Sequence, residues 1–232
     1  MDIRSGFRNA VPGIYGRVSR GYKTACLFGD ILRREVDLRL LRDVIKNSKG
    51  TSKKECPLCG FTGFFAAFGS PPRWDAQCPS CGSLERHRLL ALLLNNTPSI
   101  ITSGAVVLHF APEACITTLL KKSDIQYTSA DLDRTDVDLK LNIEDIDISD
   151  EQYDIIVCSH VLEHVDDKDA LSELRRILKP DGIIIIMVPI IEGCEMTYED
   201  DTIQNSKDRL IHFGQEDHVR VYGAEALCLC FR

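Results

Sequence analysis

YDIIVCSHVLEHVDDKDALSELRRILKPDGIIIIMVP, residues 153–189, decides the fold. YDIIVCSH (153–160) is a short apolar run and predicts a buried strand. VDDKDALSELRRIL (165–178) predicts a helix, and Lys179, Pro180, Asp181 and Gly182 supply its stop and a turn. GIIIIMVPI (182–190) is a second apolar strand. A strand, a helix and a strand in that order imply a right-handed crossover between parallel strands.

Upstream the same alternation repeats. AVVLHF (105–110) reads as a strand, PEACITTLLKK (112–122) as a helix and IQYTSADL (125–132) as a strand ending near Asp131. Before them LERHRLLALLLNN (84–96) is a strongly apolar helix that Ser83 can cap. The expected class is therefore α/β, a mostly parallel sheet with helices on both faces. In such sheets ligands bind at the carboxyl ends of the strands.

A different chemistry lies between residues 56 and 82. CPLCG and CPSCG place Cys56, Cys59, Cys78 and Cys81 in two matched pairs. Each Cys-x-x-Cys turn can present two sulfurs, and four thiolates suit tetrahedral zinc. A thioredoxin-like redox site needs one such pair rather than two. A closed four-cysteine site has no open coordination position, so the expected zinc is structural, in a ribbon where it supplies much of the folding energy. Phe61, Phe64, Phe65, Phe68 and Trp74 between the pairs are expected to form a minimal core or to contact the next domain. Aromatics can also stack on nucleic-acid bases, but Arg73 is the sole basic residue among them.

Charge is unevenly spread over the 232 residues. Residues 1–55 carry 13 Lys and Arg against 6 Asp and Glu, whereas residues 56–232 carry 15 against 29. The acidic body argues against general nucleic-acid binding, which needs a basic face. The basic segment is expected to hold one helix over 24–47, followed by a polar linker over 47–52. Apolar runs such as Ile183–Val188 fall far short of the ~20 residues of a membrane helix. With no signal-peptide pattern at the N-terminus and ten cysteines, the expectation is reduced thiols and a cytoplasmic protein.

Five stretches, VVLHFAPE (106–113), YTSADLD (127–133), LNIEDIDI (141–148), YDIIVCSHVLEHVDD (153–167) and LSELRRILKPDGIIIIMVP (171–189), carry a resemblance. They are similar to the Rossmann-like, class I S-adenosylmethionine-dependent methyltransferases of type 11. With the cysteine ribbon before them and HFGQEDHVRVYG after them, the chain resembles a bacterial subgroup that bears an N-terminal zinc ribbon. The domain division this implies is a basic segment over 1–55, a ribbon over 56–82 and a methyltransferase domain over 83–232. Relatives complete their sheet with a helix and two further strands. Only 42 residues follow Ile190, so the last two strands are expected to be missing here.

The resemblance also implies a site. His109, Phe110, Ala111, Pro112 and Glu113 would approach the methionine part of the cofactor. His109, Ala111 and Glu113 stand where relatives carry an acidic residue and two glycines. Asp131, followed by Leu132, would accept the ribose hydroxyls, with Asp133 the next candidate. Asn142 and Ile143 would face adenine, and Ser159 and His160 the methyl group. His160, His212 and His218 are the candidate catalytic residues, with His218 or His212 as proton acceptor, and Arg220 would face an acidic group of the acceptor. His160 and His164 would share a helix face. HVLEH is not the metalloprotease HExxH pattern, however, so no metal is expected there. The implied function is methyl transfer to a small-molecule or sugar-type acceptor. The alternatives are an RNA-binding protein or RNA methyltransferase that grips through the ribbon, and a non-catalytic cofactor-binding scaffold.

Overall fold

A computed structural model describes residue 50 and residues 52–69, 72–191 and 193–224. The helix expected over 24–47 lies outside them. The chain divides into two units, Met1–Lys54 with Thr62–Pro79, and Glu55–Phe61 with Ser80–Arg232.

The smaller unit is built from short strands. β1 (Lys53–Glu55) adjoins β2 (Thr62–Phe64), and β3 (Ala66–Phe68) pairs antiparallel with β4 (Arg73–Gln77) through a register shift. Phe65, Ala67 and Ala76 are buried. Phe64 and Trp74 are 41% and 48% exposed, which corrects the expected core role for those two. Alternation explains it in part: neighbouring residues of an extended chain point to opposite sides, so Phe64 faces out where Phe65 faces in.

The larger unit opens with α1 (Glu85–Asn96). Then follow β5 (Val106–Phe110), α2 (Ala114–Leu120), β6 (Gln126–Asp131), β7 (Leu139–Lys140), β8 (Tyr153–Ser159), a 3-10 turn (Leu162–His164), α3 (Asp167–Ile177) and β9 (Leu178–Met187). The five strands form one sheet in the order β7-β6-β5-β8-β9, all parallel. Both faces are covered. Leu108, Phe110, Ile156 and Cys158 pack with Ala170, Leu174 and Ile177 of α3 on one side. Val107, Ile155 and Val157 pack with Leu90 and Leu94 of α1 and Ile116 and Leu120 of α2 on the other. This is the period-2 alternation of strands buried on both faces.

Local chemistry fixes the helix ends. Asp166 caps α3 by accepting hydrogen bonds from the Lys168 and Asp169 amides. Leu84, not Ser83, is the residue before α1, because the Ser83 side chain is turned toward the cysteines. The expected turn at 179–182 is absorbed inside β9: Leu178 pairs with Tyr153 and the register resumes with Ile183 opposite Ile155. Gly182 permits this, since a Cβ there would stand 2.7 Å from the Leu178 side chain and 3.0 Å from the Asp154 carbonyl.

Beyond β9 lie β10 (Tyr198–Glu199), α4 (Ser206–Phe213) and β11 (Arg220–Val221). β10 and β11 form their own antiparallel pair, and Ile190 bridges Tyr222. Among the described residues the main sheet ends at β9. No described helix is long and apolar enough to cross a membrane.

Candidate cofactor site and cysteine cluster

The strand order reverses at β5, which lies between β6 and β8, so the carboxyl ends of these three strands meet where an open α/β sheet takes its ligands. Phe110 pairs with Ala130 on one side and Cys158 on the other. The next residues, Ala111, Asp131 and Ser159, therefore sit side by side at one edge. Ala111 turns the chain there with φ +46°, and its amide donates to the Ala130 carbonyl at 2.9 Å. A left-handed alanine is strained, and such strain gathers at functional turns.

The β5 and β6 loops are tied together. Arg134 donates from Nη1 to the Pro112 carbonyl at 2.6 Å. Asp131 Oδ1 accepts from the Asp133 and Arg134 amides at 3.0 and 3.1 Å, which fixes the carboxylate at the strand end. Arg134 was not foreseen, because its partner is a carbonyl 22 residues away that no motif marks.

Glu113, the residue before α2, is the centre of a polar cluster. Arg86 Nη2 and His87 Nε2 each lie 2.6 Å from Glu113 Oε1, and Ser159 Oγ donates to Oε2 at 3.2 Å. His87 Nδ1 accepts from the Leu84 amide at 3.0 Å, so Nε2 carries the hydrogen that reaches Glu113. Burial opposes ionisation of Glu113, but the hydrogen bonds from His87 and Arg86 outweigh it and hold the carboxyl at about 2.

The other expected cofactor residues differ in exposure. His109 is fully buried, with Nδ1 3.0 Å from the Tyr127 hydroxyl, and burial holds it at about 4, hence neutral. Phe110 and Ile143 are core residues, Leu132 is exposed, and Asn142 Oδ1 accepts from the Glu144 amide at 3.1 Å.

The expected acceptor residues do not form one group. His160 follows β8 with φ +55°, and its amide donates to the Met187 carbonyl at 2.8 Å. It therefore shares no helix face with His164, which ends the 3-10 turn. His212 is exposed on α4 and pairs with the Tyr198 hydroxyl at 2.8 Å. His218 is buried against His164, ring centroids 4.7 Å apart, and burial with the His164 charge lowers its pKa. Arg220 is no acceptor clamp. Its Nη1 donates to the Leu162 and Val165 carbonyls at 3.0 and 2.7 Å, and it pairs with Asp167 and Glu199.

Cys56, Cys59, Cys78 and Cys81 place their sulfurs within 4.8 Å of one another. Sulfurs at 2.3 Å from a tetrahedral zinc stand about 3.8 Å apart. Cys56 and Cys81 sulfurs are 3.7 Å apart. Burial raises the Cys56 thiol, but the Ser83 hydroxyl and the Cys59 and Leu58 amides outweigh it and bring it down to about 6. Ser83 Oγ lies 3.4 Å from Cys56 Sγ and 3.2 Å from Cys81 Sγ. Its place two residues after Cys81 is the signal that could have found it.

Residues 101–186 match the methyltransferase domain family. This segment is a methyltransferase domain. It runs from the lead-in to β5 through most of β9 and so spans the main sheet. The resemblance to the S-adenosylmethionine-dependent methyltransferases and the matched family agree over it. Among solved structures, the fold is similar to 1,6-didemethyltoxoflavin N1-methyltransferase of Burkholderia thailandensis, with S-adenosylhomocysteine bound. That likeness has 17% identity and a TM-score of 0.47, and covers 64% of this chain and 66% of that one. It is also similar to a SAM-dependent methyltransferase of Archaeoglobus fulgidus at 16% identity and a TM-score of 0.42, over 62% and 66% of the two chains. An uncharacterized protein of Methanocaldococcus jannaschii is 45% identical over 47 residues, which is 20% of this chain and 21% of that protein.

Proposed function

We propose that the whole chain is an S-adenosylmethionine-dependent methyltransferase acting on a small-molecule or sugar-type acceptor, with a structural zinc on the four cysteines. The observation that carries this reading is the placement of Asp131, Ala111 and the Glu113 cluster at one edge of the sheet, at its switch point. The cofactor supplies a methyl group activated on a sulfonium; the protein has to bind and align it.

The residues present fit that molecule. Asp131 offers a fixed carboxylate to the ribose hydroxyls. The amino-acid end of the cofactor carries one cation and one anion. Glu113 is complementary to its ammonium, and the Arg86 guanidinium beside it to its carboxylate. His160 follows Ser159 at the end of β8, where a proton acceptor serves an acceptor hydroxyl or amine. Transfer itself is an in-line displacement, so alignment and exclusion of water dominate.

The acidic body weighs against RNA as the acceptor. Calorimetric titration with S-adenosylmethionine tests the reading. Heat of binding that S-adenosylhomocysteine competes away is expected, and no heat with either molecule overturns it.

A further inference from the structure

Glu163 is 1% exposed and His218 5%, and Oε2 of the one and Nε2 of the other have no hydrogen-bond partner among the described residues. Leaving such atoms unsatisfied is costly, and more so for a charged group. A pair of them in one place calls for an explanation, and a bound ion is one. One ligand atom from each of Glu163, His164 and His218 lies within 4.8 Å of the others.

We propose that Glu163, His164 and His218 form a second metal site, separate from the cysteines, for a divalent transition metal of the zinc and iron group. One carboxylate with two imidazoles is the donor set those ions take, and three protein ligands leave positions open for water or an acceptor oxygen. Thiolates are absent from it, so its preference differs from that of the ribbon. The carboxylate has no buried cation of its own: its ion pair among the described residues is with His160 Nδ1 at 3.1 Å, and the neighbouring Arg220 is held by Asp167 and Glu199.

The surroundings hold the ligands in place. The Val219 amide donates to the Glu163 carbonyl at 2.9 Å, fastening the segment that carries His218 to the 3-10 turn. Arg220 adds its bonds to the Leu162 and Val165 carbonyls on either side of that turn. Asp217 Oδ2 lies 3.1 Å from His164 Nδ1, and His160 lies against Glu163 Oε1. Partners of this kind orient metal ligands. The sequence pattern around HVLEH gave no metal motif because the third ligand arrives 54 residues after His164.

The test is cobalt(II) titration of the full chain after zinc has filled the cysteines, followed by absorption without S-adenosylmethionine. This keeps it independent of the methyl-transfer reading. The expected result is one bound cobalt with ligand-field bands and no added thiolate charge-transfer band. Affinity should fall at least about tenfold in Glu163→Gln and His218→Asn, with bound zinc and circular dichroism unchanged. His164→Asn, at a half-buried position, gives the same readout where the buried variants fail to fold. Absence of a bound cobalt, binding only with a thiolate band, or equal binding in all folded variants overturns the proposal.

Discussion

His87 Nε2 lies 2.6 Å from Glu113 Oε1, joining the helix before the sheet to the loop after its first strand. Arg86 reaches the same oxygen. A side chain in that loop is thus the anchor of a charge cluster. The folded carboxyl titrates at about 2 against an ordinary 4.5. A lowered folded value means stability that is present above pH 4.5 and lost as pH falls toward 2. Glu113→Gln should lower stability near neutral pH by about 1–3 kcal/mol. It should also flatten the loss between pH 4.5 and 2 in urea unfolding. Parallel acid profiles for the two proteins would remove the ion pair from the account.

Zinc on the cysteines predicts one metal per ribbon, lost in Cys56→Ser with Cys59→Ser. Ser83→Ala keeps all four sulfurs but removes the hydroxyl beside two of them. Zinc affinity should drop about 10–100-fold, as it does when groups that orient metal ligands are removed. Competition with a chromophoric chelator measures it, and an unchanged constant would leave Ser83 a packing residue only.

Asp131→Ala should weaken S-adenosylmethionine binding by about 1–3 kcal/mol, the cost of stranding the ribose hydroxyls. Its backbone partners, the Asp133 and Arg134 amides, are exposed enough to turn to water, so folding should change little. Calorimetry and a thermal melt separate the two effects. A melt that falls while affinity holds would make Asp131 a loop brace.

What the sequence made legible is what depends on local pattern. The apolar runs at 105–110 and 153–160 became β5 and β8 because burial on both faces needs continuous apolar residues, and the mixed stretch at 125–132 became β6 beside them. The paired cysteines came together because their spacing is itself the geometry. Partners set by tertiary folding stayed hidden. Arg86 and Glu113 are 27 residues apart, Arg220 and Leu162 are 58 apart, and no periodicity links either pair. Arg220 misled for the same reason: in sequence it sits among polar residues, and only the fold turns it inward to the end of the 3-10 turn.

Ala111 holds φ +46°. Alanine to glycine usually destabilises by loosening the unfolded chain, about 0.4–1 kcal/mol. Here glycine also relieves left-handed strain worth about 1–2 kcal/mol. Ala111→Gly should therefore leave stability unchanged or raise it by up to about 1.6 kcal/mol in urea unfolding. A loss of that size would show that the alanine methyl packs better than it strains.

Arg220 has a side chain 9% exposed, and its guanidinium serves two carbonyls and two carboxylates. Arg220→Met would keep the stem and strip the charge, leaving Asp167 without its cation and the Leu162 and Val165 carbonyls without their donor. Breaking one side of a buried pair costs about 3–5 kcal/mol, and the half-exposed Glu199 places this case at the lower end. Arg220→Lys should recover part of that, since one ammonium can reach some of the acceptors but lacks the fork that spans them. An acceptor clamp predicts the reverse pattern: stability kept and KM for the acceptor raised. Unfolding midpoints beside steady-state kinetics decide between the two. The expected outcome is a large loss of stability in Arg220→Met, with KM unchanged at temperatures where the variant stays folded.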